Sequence, residues 1–205
     1  MSFKKDNILL IKNAISKELV NFCMNYFLLK RDAVSKLKED KIIPDDESLL
    51  SKLFGTWKDP QVLNSYSHYG DMVMETLLMK VLPIMKKSTD LNLVPTYSYA
   101  RIYEKGHELK RHKDRPSCEI STTLNLGGNP WPIYVDITGG KGNPGTKVDL
   151  ESGDMLIYKG ELLEHWREPF DGELCVQVFL HYNNSDDKYY TNNIFDSRPL
   201  LGYPK

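Results

Sequence analysis

The hexapeptide "RHKDRP" at residues 111–116 sets a histidine and an aspartate two positions apart. In extended backbone, residues i and i+2 project to the same face, so His112 and Asp114 aim at one point while Arg111 and Lys113 turn away. An imidazole nitrogen and a carboxylate oxygen aimed together are two ligands for one ion. The plainer alternative is a solvated charge run, "EKGHELKRHKDR", in a strand connection. A third ligand decides between them. Of the five histidines, His165 stands in "GDMLIYKGELLEHWREPFDGE", where a Gly-Asp turn leads into a strand, a second turn, and then His165 at the start of another strand. From a separate strand its ring can approach the first pair across a barrel.

Two histidines and one carboxylate on one face of an ion leave the remaining positions open for substrate and dioxygen, the arrangement of non-haem Fe(II) oxygenation. Zinc hydrolysis uses similar ligands and stays open on these residues alone. His68, His107 and His181 have no partner at ligand spacing and are expected to be surface or hydrogen-bonded core residues.

The elements that must carry these groups are legible along the chain. "NILLIKNAI" reads as a buried strand, and Ser16 caps a helix in which Leu19, Phe22, Cys23, Tyr26 and Phe27 recur at helical spacing. Residues 39–70 carry prolines, acids and scattered aromatics without sustained periodicity, an irregular excursion and a candidate lid. "DMVMETLLMKVLPIMKK" resumes a helical pattern capped by Asp71, with Pro83 expected to kink or end it. From residue 94 the grammar changes. "VPTYSYARIY", "CEISTTLNL", "PIYVDI", "DMLIY", "EHWRE" and "ELCVQVFLHY" are short and rich in β-branched and aromatic residues, with Gly, Pro and Asn between them. Six strands after a helical N-terminal part imply an α+β, mainly β fold: an antiparallel sandwich or barrel with helices packed on one sheet. "NLGGNPWP" and "TGGKGNPGTK" lack phosphate-loop spacing and read as hairpin loops.

At 205 residues and 40% hydrophobic, the chain supports one sizeable core, so residues 1–205 are expected to form one domain. Its parts would be a helical stretch to about residue 93, a barrel over 94–182 and a tail over 183–205. Lysine and arginine number 27 against 28 acidic residues, a net charge of −1 that gives no case for a nucleic-acid or membrane partner. Three widely separated cysteines fit a reducing, cytoplasmic compartment better than a disulfide framework.

The order Tyr103, Gly106, His112, Asp114, Gly153, His165 and Pro169 resembles the 2-oxoglutarate and Fe(II)-dependent dioxygenases, specifically the prolyl 4-hydroxylase-like branch. The resemblance covers about residues 94–182. It implies a double-stranded β-helix, or jelly roll, with Fe(II) on His112, Asp114 and His165, 2-oxoglutarate and O2 as cosubstrates, and ascorbate as a stimulant. The implied reaction hydroxylates a C–H bond with release of succinate and CO2. Its substrate would be a protein or peptide side chain such as proline, or a small molecule. The carboxylate at Asp114 favours hydroxylation over the halogenation of related enzymes, which place a small residue there. A non-catalytic metal-binding barrel acting as an interaction module, and a metal hydrolase or isomerase, are the alternatives.

One position departs from that pattern. The basic residue that usually anchors the distal carboxylate of 2-oxoglutarate is replaced by Leu174. Arg167 is the first candidate for the role, because it lies two residues beyond His165 and shares its face of the strand. Arg101 is the second, on a face with Tyr97, Tyr99 and Tyr103 that suits a polar cavity. The polar stripe Glu119, Ser121, Thr123 and Asn125 alternates with apolar neighbours: either it lines the site, with Thr123 or Asn125 near the cosubstrate, or it faces water.

Overall fold

The computed structural model describes residues 2–46, 48–138, 142–187 and 190–205. Besides Met1, parts of three regions therefore lie outside the described residues: Glu47 of the 39–70 excursion, residues 139–141 of the glycine-rich loop, and residues 188 and 189 of the tail.

The chain opens with a turn of helix, α1 (Phe3–Asp6), strand β1 (Ile8–Ile11) and the long helix α2 (Lys17–Glu39). After α3 (Leu49–Lys52) and β2 (Ser67–Tyr69) comes α4 (Met72–Thr89). Strands then follow: β3 (Leu93–Glu104), β4 (Leu109–His112), β5 (Ile120–Gly128), β6 (Ile133–Val135), β7 (Thr146–Val148), β8 (Met155–Tyr158), β9 (His165–Arg167) and β10 (Leu174–Asn184). Among the described residues they form two antiparallel sheets, a larger one in the order β1-β8-β5-β10-β3-β2 and a smaller one in the order β4-β9-β6-β7.

Both helix starts follow the sequence. Ser16 accepts from Leu19 N at 3.3 Å, and Asp71 accepts from Val73 N at 2.9 Å and Met74 N at 3.1 Å. Each side chain satisfies amides that the first helical turn leaves without partners. One of the two outcomes expected at Pro83 is excluded, and the apolar spacing of α2 is not all buried. Pro83 does not end α4, which runs on to Thr89; proline removes the bond to the carbonyl of Met79, but buried Leu78, Val81 and Met85 hold the helix against the sheet. Phe22 is 59% exposed, and Val20, Cys23, Phe27 and Val34 form the buried face of α2 instead.

The larger sheet divides the molecule. Its helix side carries Ala100, Ile102, Ile120, Leu124, Leu126, Val176, Val178, Leu180 and Tyr182, packed with Phe27, Leu78 and Met85 in one buried cluster. A smaller cluster of Tyr103, Leu109, Trp131, Phe170 and Cys175 lies elsewhere, and it includes residues from both sheets.

Candidate metal centre

The two histidines meet because β4 and β9 pair antiparallel with His112 directly opposite His165. Their ring centroids stand 4.3 Å apart. Asp114 follows β4 on a turn whose amide donates to Gly160 O at 2.9 Å. Its Oδ1 lies 3.6 Å from His112 Nε2 and 3.5 Å from His165 Nε2. The three ligand atoms all fall within 4.8 Å of one another. The other nitrogen of each ring faces a carbonyl, His112 Nδ1 with Lys110 O at 2.7 Å and His165 Nδ1 with Leu163 O at 3.0 Å. A carbonyl only accepts, so Nδ1 carries the proton and the Nε2 lone pair faces Asp114.

The Asp114 carboxylate is itself held in place. Ser121 Oγ donates to its Oδ2 at 3.0 Å, which leaves Oδ1 turned toward the histidines. Ser121 Oγ also lies 2.9 Å from His181 Nδ1. A Cβ at Gly160 would come 2.3 Å from Asp114 Oδ2 and 2.6 Å from Ser121 Oγ, so only glycine lets this turn approach so closely. Burial works against the ionised carboxylate, but the positive charge and hydrogen bonds that His165 and His112 supply when they are protonated at Nε2 outweigh it and hold Asp114 well below the usual range. His181, fully enclosed, is pushed down to about 4 by burial and stays neutral.

A cavity of ≈ 140 Å³ opens on the three groups, with Gln61, Tyr99, Leu109, Phe179 and His181 among its walls. Arg167 lies deeper. It is 0% exposed, and its guanidinium donates to Trp131 O and, at 3.3 Å, to Thr123 Oγ1, while Nε has no partner. Neither neighbouring acid reaches it: Glu164 pairs with Arg111 at 2.6 Å, and Glu168 accepts from Trp166 Nε1 at 2.9 Å. The Tyr103 hydroxyl is also buried without a hydrogen-bond partner. Burial without a carboxylate pulls Arg167 below the usual guanidinium range.

Of the residues singled out in the sequence, His112, Asp114 and His165 come together, and Arg167, Tyr103 and Thr123 form a second group beyond them. Arg101 shares the inner face with Tyr97, Tyr99 and Tyr103 but pairs with Asp59 at 2.7 Å. Asn125 joins neither group: its amide donates to Leu150 O at 2.7 Å and its oxygen accepts from Gly127 N at 2.8 Å, bracing a turn. Leu174 packs against the helix-side cluster, and Cys175 is the inward residue at that end of β10. Asp59 and Gln61 went unassigned, while Ser121 was placed only in the polar stripe and His181 only as a surface or hydrogen-bonded core residue, although both stand beside Asp114 and are buried. For His181 the signal was available, since Cys175, Gln177 and His181 alternate on one face of β10. For Asp59 and Gln61 no period exists to read.

Comparison with protein-family models gives no match, and comparison with curated proteins gives none. Comparison with solved structures gives many. A prolyl-4-hydroxylase from Pseudomonas putida aligns over 89% of this chain and 95% of its own, at a TM-score of 0.62 and 12% identity. HygX from Streptomyces hygroscopicus, solved with nickel, 2-oxoglutarate and hygromycin B, aligns over 89% and 85% at a TM-score of 0.57 and 14% identity. A 2OG-Fe(II) oxygenase family oxidoreductase from Burkholderia pseudomallei covers 96% and 91% at a TM-score of 0.59 and 12% identity. The chain therefore has the fold of the 2-oxoglutarate and Fe(II)-dependent oxygenases, with a prolyl hydroxylase among its structural relatives.

Proposed function

We propose that the chain is one oxygenase domain on a double-stranded β-helix, a hydroxylase that uses Fe(II), 2-oxoglutarate and O2. The observation that carries this reading is the pairing of two groups: three metal-competent atoms with both Nδ1 protons committed to carbonyls, and behind them a buried guanidinium with no carboxylate. His112, Asp114 and His165 would hold the ion. An octahedral ion with bonds of about 2.1 Å sets neighbouring ligand atoms about 3.0 Å apart. Separations of 3.5 and 3.6 Å need only a small inward adjustment to reach it. Arg167 would take the far carboxylate of 2-oxoglutarate, its fork matched to a planar anion, with the Tyr103 hydroxyl and Thr123 beside it. When bound, the ion and cosubstrate supply O2 activation and C–H hydroxylation, releasing succinate and CO2. Ser121 would hold Asp114 in place through its second oxygen, and Leu109 and Phe179 give the cavity apolar wall.

The substrate we favour is a protein or peptide side chain such as proline, by likeness to the prolyl hydroxylase. A small-molecule substrate is the second reading, favoured by the antibiotic held in the HygX structure. A reducing, cytoplasmic setting is part of the proposal. It is supported by Cys23, Cys118 and Cys175, all buried and free. Among the described residues no helix is long and apolar enough to cross a membrane.

The test is succinate formation from 2-oxoglutarate with Fe(II) and ascorbate. Succinate is expected from the wild type and not from His112→Ala, Asp114→Ala or His165→Ala. Full activity in any of these removes that residue from the site, and tight metal binding without succinate would favour the non-catalytic barrel.

A further inference from the structure

The excursion between α3 and β2 delivers a carboxylate and an amide to the inner face of the larger sheet. Its neck is closed by Thr56 N to Ser67 O and Ser67 N to Thr56 O, both 2.8 Å, and by Asn64 N to Trp57 O at 3.1 Å. On the loop beyond, Asp59 Oδ2 pairs with Arg101 Nη2 at 2.7 Å and accepts from the Tyr99 hydroxyl, while its Oδ1 accepts from Gln61 N at 2.7 Å. Gln61 Oε1 accepts from Arg101 Nη1 at 3.0 Å, and its amide nitrogen lies 3.1 Å from His112 Nε2. The loop thus bridges a buried guanidinium and a nitrogen of the candidate metal centre.

Three observations mark this as the place of a ligand. Arg101 is 1% exposed with Nε unpartnered, and Asp59 is its one carboxylate among the described residues. Asp59 and Tyr99 line both the inner cavity and an outer one of ≈ 450 Å³, so they stand between the two. The outer cavity is lined by Lys52, Lys58, Arg115 and Lys205 against the single carboxylate of Asp59. Lys58 is paired with Asp45, and Arg115 and Lys205 share Asp196, while Lys52 has no carboxylate partner among the described residues. The surplus of cations favours an entering anion.

We propose that Arg101 anchors a carboxylate of the primary substrate, and that Asp59 with Gln61 holds that place until the substrate displaces them. A carboxylate in the Arg101 fork sets the atoms beyond it where Gln61 now stands, next to His112. The loop acts as an internal competitor, so the apparent affinity for the substrate is reduced by the fraction of molecules in which it is seated. The inference rests on the oxygenase reading, which makes the metal centre the reacting one.

The test uses full-length protein loaded with Mn(II) and saturating 2-oxoglutarate, titrated with N-acetylglycine, a probe with one amide and one carboxylate. The readout is paramagnetic broadening of the probe's methylene signal. Asp59→Asn removes the competing charge and is expected to bind the probe about tenfold more tightly than wild type. Arg101→Gln is expected to lose saturable broadening while still binding 2-oxoglutarate. Should Arg101→Gln not fold by thermal unfolding, Arg101→Lys takes its place, expected about tenfold weaker than wild type because a point charge replaces the fork. No saturable broadening in Asp59→Asn, no gain over wild type, or unchanged probe binding in the Arg101 variant overturns the proposal. So does loss of 2-oxoglutarate binding in the Arg101 variant, which would put that residue in the cosubstrate site. Wild type that binds no 2-oxoglutarate with Mn(II) overturns the oxygenase reading, and this inference falls with it.

Discussion

The two faces of the larger sheet are made by the same three central strands and carry opposite chemistry. Toward α2 and α4, β5 and β10 present Ile120, Leu124, Leu126, Val176, Val178 and Leu180, all fully buried. Toward the smaller sheet the intervening residues are Ser121, Thr123, Gln177 and His181, and β3 adds Tyr99, Arg101 and Tyr103. The helix side is closed to solvent, while the inner side opens on the cavity at the metal centre and still buries Arg101, Thr123 and Gln177, which are costly to bury unless they find partners. The helix side supplies the stability that lets the inner side hold two guanidiniums, one of them without an anion. The period of two separates a structural surface from a functional one by a single residue step.

This contrast can be broken from either side. Leu180→Ala on the helix side is expected to lower unfolding free energy by about 2–5 kcal/mol, read from denaturant titration, because a packed methyl cluster loses its contacts. The folded fraction should keep its Mn(II) affinity; a large loss of metal affinity would show that the faces are not independent. Arg167→Met on the inner side is expected to do the reverse. The ligand-free protein should become more stable by about 1–4 kcal/mol, despite losing bonds to Trp131 and Thr123, because an unpaired buried charge is gone. Its 2-oxoglutarate dissociation constant, by calorimetry with Mn(II), should rise by about one to two orders of magnitude. A destabilised variant with unchanged affinity would make Arg167 a structural residue and shift the anchor to Arg101.

A smaller effect sharpens the helix side. Asp71 caps α4 and meets Lys30 at 2.5 Å and His68 at 3.1 Å. Burial disfavours its ionised form, but His68 and Lys30 outweigh that and keep its pKa well below the usual carboxylate range. A folded-state pKa below the unfolded one means that this stabilisation is complete above about pH 4 and fades as pH falls toward the folded value. Asp71→Asn should cost about 1–2 kcal/mol at neutral pH and flatten the acid limb of stability against pH. An acid limb identical to wild type would assign that sensitivity to other carboxylates, such as Asp196.

What could be read in the chain follows the same division. Regular alternation exposed the inner faces of β3, β5 and β9, and with them His165, Arg167, Thr123 and Tyr103, because strand geometry maps sequence directly onto side. Short β4, over Leu109–His112, was hidden in a charge run, and its pairing is stretched by a register shift between Leu109 and His112. Asn125 shared the right face, but its amide is spent at the strand's end, which alternation alone does not reveal. Asp59 and Gln61 reach the inner face from an aperiodic loop whose path is set by tertiary contacts, chiefly those with Arg101 and Tyr99. Pro83 and Phe22 show local preference yielding to packing over the helix as a whole.

The most direct measurement is a crystal structure of the protein soaked anaerobically with Fe(II) or Mn(II) and 2-oxoglutarate. The ion should sit on His112 Nε2, Asp114 Oδ1 and His165 Nε2, with the far carboxylate of 2-oxoglutarate in the fork of Arg167. An ion bound elsewhere, or a cosubstrate absent at saturating concentration, would contradict the account.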